Sequence, residues 1–135
     1  MKKIISIFIC LLFSSSVYAI KFVKVTENNT MTVYIDVDSI AKEDGYTTAN
    51  QIKEYKKPMD FGGGQTFRSS LSLAEIDCKK NTFRLAFIDT FELNGLKGKL
   101  LSHGVQKPII EIIQPNTMTA DVRDFLCTRP SPRKI

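Results

Sequence analysis

The chain has 135 residues, 43% of them hydrophobic and 24% charged, with 7 glycines. That composition fits one small globular domain and excludes multidomain machinery, a disordered chain and a collagen-like repeat. The net charge is +5, and it falls to +3 over 116 residues once nineteen N-terminal residues containing Lys2 and Lys3 are removed. Such an excess is compatible with an anionic surface but far short of a nucleic-acid footprint, so no nucleic-acid partner is expected.

Lys2 and Lys3 precede an apolar run over residues 4–13, followed by Ser14, Ser15 and Ser16 and then Val17, Tyr18 and Ala19. A basic start, an apolar middle and small residues before the cut are the layout of a secretory signal, predicting cleavage after Ala19. The apolar run would rise only about 15 Å as a helix, half of the roughly 30 Å hydrocarbon core, so it is no spanning anchor. Cys10 lies inside this run with no small residue immediately before it, and no lipidation is expected. The predicted organisation is a signal peptide over 1–19, a single folded domain over 20–128 and a basic flexible tail over 129–135. No later run is long enough to span a membrane as a helix.

In the mature chain, residues 22–26 and 31–37 are short β-rich runs separated by Asn28 and Asn29, which predicts a hairpin. Met31, Val33, Ile35 and Val37 fall on one face by period two. Residues 38–41 read as a single helical or 3₁₀ turn with Asp38 as its cap. Residues 46–55 form a weaker strand. The stretch 56–65, with Pro58 and the run Gly62, Gly63, Gly64, is expected to be an exposed, mobile loop of the kind that often carries function.

Residues 67–78 and 82–93 flank the tight connection Lys79, Lys80, Asn81 and predict a second hairpin. Phe83, Leu85, Phe87, Phe91 and Leu93 alternate as one core face. Gly95 and Gly98 interrupt the next segment, and residues 109–113 predict a last short strand. Pro115, Asn116 and Thr117 then start an amphipathic helix whose Met118, Val122, Phe125 and Leu126 share a face and which ends near Cys127.

With Cys10 removed, Cys78 and Cys127 remain in an oxidising compartment and predict a disulfide. They lie 49 residues apart, and closing a loop of that size stabilises a fold by roughly 4 kcal/mol in the chain-entropy model. No C-x-x-C and no neighbouring histidine accompanies them, so a redox or metal role is not expected. The fold class that follows is α+β: a small antiparallel β-sheet with a C-terminal α-helix packed on one face and tied by the disulfide.

The residues offer little chemistry. His103 is the single histidine and has no G-x-S-x-G turn beside it. The glycine run lacks the G-K-[ST] of a phosphate loop and leads into a strand. Asp36 and Asp38 lack the third carboxylate of a calcium loop. No enzyme, cofactor or metal is expected. Basic residues gather at Lys53, Lys56, Lys57 and Arg68, and again at Lys79, Lys80, Arg84, Lys97 and Lys99. With Tyr46, Tyr55, Phe61 and Phe67 nearby, the first group is the better contact edge, and Lys56, Lys57 and Arg68 are the predicted partner-binding residues.

The order of motifs resembles the surface-adhesin protein E family of Gram-negative bacteria. The resemblance rests on the run Tyr34-Ile35-Asp36-Val37-Asp38-Ser39-Ile40, on Arg68-Ser69 leading to Ile76-Asp77-Cys78, on residues 91–98, and on Pro115-Asn116-Thr117 leading to Cys127. It implies a non-enzymatic envelope protein that binds host extracellular-matrix or serum proteins and is able to form a homodimer. This sequence departs from the pattern in two places: no lipidation cysteine stands at the predicted cleavage site, and the stretch before Arg68 is glycine-rich rather than densely basic. Two functional readings follow: an exported binding module for a protein or an anionic polymer, at the surface or secreted, and a periplasmic structural or assembly factor of the cell envelope with no host ligand.

Overall fold

The structure, a computed structural model, describes residues 22–105, 107 and 109–129. The predicted signal segment and residues 130–135 of the predicted tail lie outside the described residues. Within them the chain forms eight strands and one helix: β1 (Phe22–Glu27), β2 (Met31–Asp36), β3 (Ala41–Glu43), β4 (Tyr46–Gly62), β5 (Gln65–Asp77), β6 (Thr82–Leu93), β7 (Lys97–Val105), β8 (Glu111–Ile112) and α1 (Met118–Cys127).

The strands make one antiparallel sheet in the order β1-β2-β4-β5-β6-β7. Short β3 extends β2's edge position along β4, and short β8 does the same for β7 along β6. This near-sequential order is what successive hairpins produce, and the turns carry the residues that hairpins need. The Asn28 side chain accepts from the backbone N–H of Thr30 and Met31 (2.8 and 2.9 Å), and Asp77 does so for Lys79 and Lys80 (3.1 and 3.0 Å). After β2 a single 3₁₀ turn spans Val37–Ser39, capped by Asp36, whose carboxylate accepts from the Asp38 N–H at 3.0 Å. Asp38, the expected cap, is exposed within the turn instead.

The core lies between α1 and one face of the sheet, built from Val33, Ile35, Ala49, Ile76, Ile113, Ala120, Val122 and Leu126. Ile35 and Leu126 are fully buried, each worth about 1.5–3 kcal/mol relative to exposure. Met31 and Val37 pack against this cluster, so the predicted period-two face of β2 is the face that meets the helix. Thr117 caps α1 by accepting from the Ala120 N–H at 3.1 Å. The Asp121 carboxylate accepts from the Thr26 hydroxyl of β1 (2.6 Å), and Arg123 donates to the Asn81 side chain in the β5–β6 turn (2.6 Å). The Cys78–Cys127 disulfide, with Cα atoms 5.9 Å apart, fixes the end of α1 to the end of β5.

Two expectations fail for backbone reasons. Ala74 pairs with Leu85 but Ser72 with Ile88, so β6 carries one extra residue between Leu85 and Ile88. This bulge reverses the alternation, and the apolar stripe does not continue: Phe83 and Leu85 line the helix side together with Ile88, while Leu93 is 48% exposed. The second failure is the loop over 56–65. Glu54 pairs with Ser69 but Met59 with Phe67, so β4 accommodates Lys56, Lys57 and Pro58 in a bulge and then continues as strand to Gly62. Only Gly63 and Gly64 turn, both with positive φ (61° and 76°), the requirement of a two-residue type I′ hairpin turn and the reason glycine stands at both positions.

Candidate functional site

β2 reaches along β4 only to Tyr55, and β6 reaches along β5 only to Ser69. The Lys56 N–H still donates to the Thr30 carbonyl at 2.9 Å, but past it β4 and β5 pair with each other alone among the described residues, so residues 57–68 form a two-stranded arm projecting past the sheet. A bare two-stranded ribbon is marginal in water, and here three aromatic rings brace it. Tyr55 meets Phe67 edge-to-face with centroids 5.1 Å apart, and Phe67 meets Phe61 at 6.2 Å. Burial raises the Tyr55 phenol above its ordinary pKa.

A polar clamp holds the arm's root. The Asn94 side-chain amide reaches the Glu54 carboxylate at 2.7 Å and the carbonyls of Tyr55 and Arg68 at 3.2 Å each. Glu54 also accepts from the Gly95 N–H at 2.7 Å, and the Ser69 hydroxyl accepts from the Leu96 N–H at 3.1 Å. The clamp requires a compact turn over residues 94–98, where a Cβ on Gly98 would sit 2.9 Å from the Leu93 side chain.

The three predicted contact residues meet at this root in different roles. Lys57 is exposed, and it has no ion-pair partner among the described residues. Lys56 is exposed and stands 3.8 Å from Glu27, whose carboxyl is held below its ordinary pKa by the Thr32 hydroxyl and then by Lys56 and Lys24. Arg68 is half-buried and donates to the Lys56 carbonyl at 3.0 Å, with its Nε buried and unpaired. It braces the bulge rather than offering a free charge. Tyr46 is not part of the aromatic cluster: it lies under the Arg84 guanidinium, 4.2 Å from centroid to Cζ, beside the Arg84–Glu75 cross-strand ion pair. His103 pairs across strands with Asp89 at 2.7 Å and is exposed.

The fourth lysine of that group points elsewhere. Lys53 alternates with Ala49, Gln51 and Tyr55 on the helix-bearing face and lines a groove between α1 and the sheet with a volume of about 380 Å³. It also lines a smaller neighbouring cavity of about 160 Å³ with Ser70, Ser72 and Thr90. Burial alone depresses its ammonium below the ordinary value of 10.5. The sequence carried a signal for this placement, since period two puts Lys53 with core residue Ala49. Nothing local in the sequence signalled the clamp between Glu54 and Asn94, forty residues apart.

A model of the surface-adhesin protein E family matches residues 22–128. The chain belongs to that family. No curated protein matches it. Among solved structures, Haemophilus influenzae protein E is similar at 15% identity with a TM-score of 0.61, covering 78% of this chain and 83% of that one. Its crystal form II aligns at 15% identity with a TM-score of 0.63, covering 78% and 86%. A structure of protein E from non-typeable Haemophilus influenzae gives 15%, 0.60, 78% and 74%. These protein E structures share the fold of this chain. The disulfide between Cys78 and Cys127 joins the end of β5 to the end of α1 within it, and no helix among the described residues is long and apolar enough to cross a membrane.

Proposed function

We propose that this member of the protein E family is an exported, non-lipidated and non-catalytic binding module that contacts a protein, of the extracellular-matrix or serum class, or an anionic polymer through its projecting arm. The observation that carries the reading is the arm itself, which places two open strand edges, the exposed Phe61 ring and the Lys56 and Lys57 ammonium groups on one ribbon. Open edges accept a partner strand through backbone hydrogen bonds. Aromatic side chains are enriched in interfaces, and flanking lysines steer an acidic partner. Arg68 serves as a positioning residue that keeps the bulge in shape.

A second reading, a periplasmic structural or assembly factor, is favoured by the place of Cys10, inside the apolar run and not at the predicted cleavage site. Protease digestion of intact cells separates the two: a surface module is cut, and a periplasmic factor is protected. The arm is tested with the mature protein on immobilised heparin and on extracellular-matrix extract over a salt series. Lys56→Ala with Lys57→Ala should lower heparin retention and flatten its salt dependence, and Phe61→Ala should weaken the matrix contact, each with an unchanged circular dichroism spectrum. Affinities unchanged in both variants would retire the arm as the contact site.

A further inference from the structure

The groove beneath α1 has a composition that the arm does not account for. Its larger lobe is lined by Met31, Val33, Leu85, Ile88, Met118 and Val122, and its volume of about 380 Å³ falls within the ~300–1,000 Å³ range of small-molecule sites. Two of these are methionines, flexible side chains that adapt to an irregular apolar guest. The smaller lobe differs. Lys53 pairs with Ser70 across β4 and β5, and Ser70 pairs with Thr90 across β5 and β6, so an ammonium and two hydroxyls form one polar row across three strands. Ser72, one rung away and paired with Ile88, adds a third hydroxyl to the same lobe.

No carboxylate forms an ion pair with Lys53 among the described residues, and burial disfavours its charged form. A lone ammonium set in an apolar groove weakens a fold, because the lost hydration is not replaced. A leucine or methionine there would pack as well without that cost. Lys107 and Glu111 at the rim are exposed and line only the larger lobe.

We propose that this groove binds a linear aliphatic carboxylate, a free fatty acid, with its carboxylate on Lys53, Ser70 and Thr90 and its chain in the apolar lobe beneath α1. The head group supplies the negative charge that Lys53 lacks, and the chain covers the apolar walls. The arm's bracing rings Tyr55 and Phe67 also line the smaller lobe, but the proposed contact residues Lys56, Lys57 and Phe61 line neither lobe, so failure of this site would leave the arm's proposed role untouched.

The test is isothermal titration calorimetry of delipidated mature protein with octanoate, decanoate and laurate below their micellar concentrations, and with dodecanol. Affinity should rise about fourfold per methylene, and dodecanol should bind at least roughly tenfold more weakly than laurate. Lys53→Met, which replaces the ammonium-bearing chain by an unbranched apolar one a single atom shorter, should reduce laurate affinity at least about tenfold and leave dodecanol affinity unchanged. No laurate binding by the folded wild-type protein would overturn the proposal. So would equal binding of laurate and dodecanol, or a Lys53→Met variant that binds laurate as tightly as wild type.

Discussion

The two ends of the β4–β5 hairpin are held by different physics. At the helix end, Ala49, Ala74 and Ile76 lie under α1, Leu126 is fully buried, and a disulfide closes the packing. At the arm end, backbone pairing, three rings and a clamp of side-chain hydrogen bonds support a ribbon that, past the Lys56–Thr30 backbone bond, has no sheet neighbour among the described residues. Burial couples residues cooperatively, whereas local pairing and hydrogen bonds open piecemeal. One continuous pair of strands thus joins a region that unfolds only with the whole domain to one that frays by itself.

The largest effect should come from breaking the helix end. Replacing Cys78 and Cys127 by alanine removes a constraint of the usual 2–5 kcal/mol size for a native disulfide in a small domain, and the urea midpoint of the entire transition should fall accordingly. A single midpoint that does not move would mean that α1 is held without the bridge. Next comes the clamp. Asn94→Ala removes the amide donor shared by Glu54 and two carbonyls and leaves Glu54 the Gly95 N–H, costing about 0.5–1.5 kcal/mol, and amide exchange should accelerate in residues 57–68 more than in β2.

Phe67→Ala should cost about 0.5–1.5 kcal/mol in ring contacts beyond the area lost, read as faster exchange within the arm. Its effect on the global midpoint should be smaller than that of the cysteine changes. If the two variants shift the midpoint equally, the distinction between the ends fails. The smallest effect concerns Lys53, where the two regions meet. Its folded-state pKa is lowered by burial below 10.5, so the unfolded chain binds more protons in the interval between the two values. Stability contributed by this group therefore rises with pH across that interval and is at its poorest below the folded value. Lys53→Met should be more stable than wild type at neutral pH, with the difference shrinking as pH approaches 10.5. A difference that stays constant with pH would deny the buried charge.

The helix end was legible in the sequence because its signals are local or arithmetical. Thr117 precedes a 3.6-period apolar face, Met31 to Val37 alternate cleanly, and Cys78 and Cys127 are the two cysteines beyond the N-terminal apolar run. The arm was not, because its bulge inserts residues around Pro58, scrambling the period of two that marks a strand, while three glycines imitate a loop. The same kind of register change hid the turn of the β6 stripe at Ile88, since a bulge is a property of two paired strands and leaves no trace in one. Lys53, Lys56, Lys57 and Arg68 group by proximity in the sequence although period two places Lys53 with Ala49, and the roles of Arg68 and Lys56 emerged only from contacts across the hairpin.

The hydrogen bond from Thr26 to Asp121 spans 95 positions, and it joins the first strand to the last element made. A chain with such long-range closure cannot complete its core until its final residues are available, and folds dominated by non-local pairing are slow to form. The same order governs the disulfide, since Cys127 reaches Cys78 only once the last helix has been made.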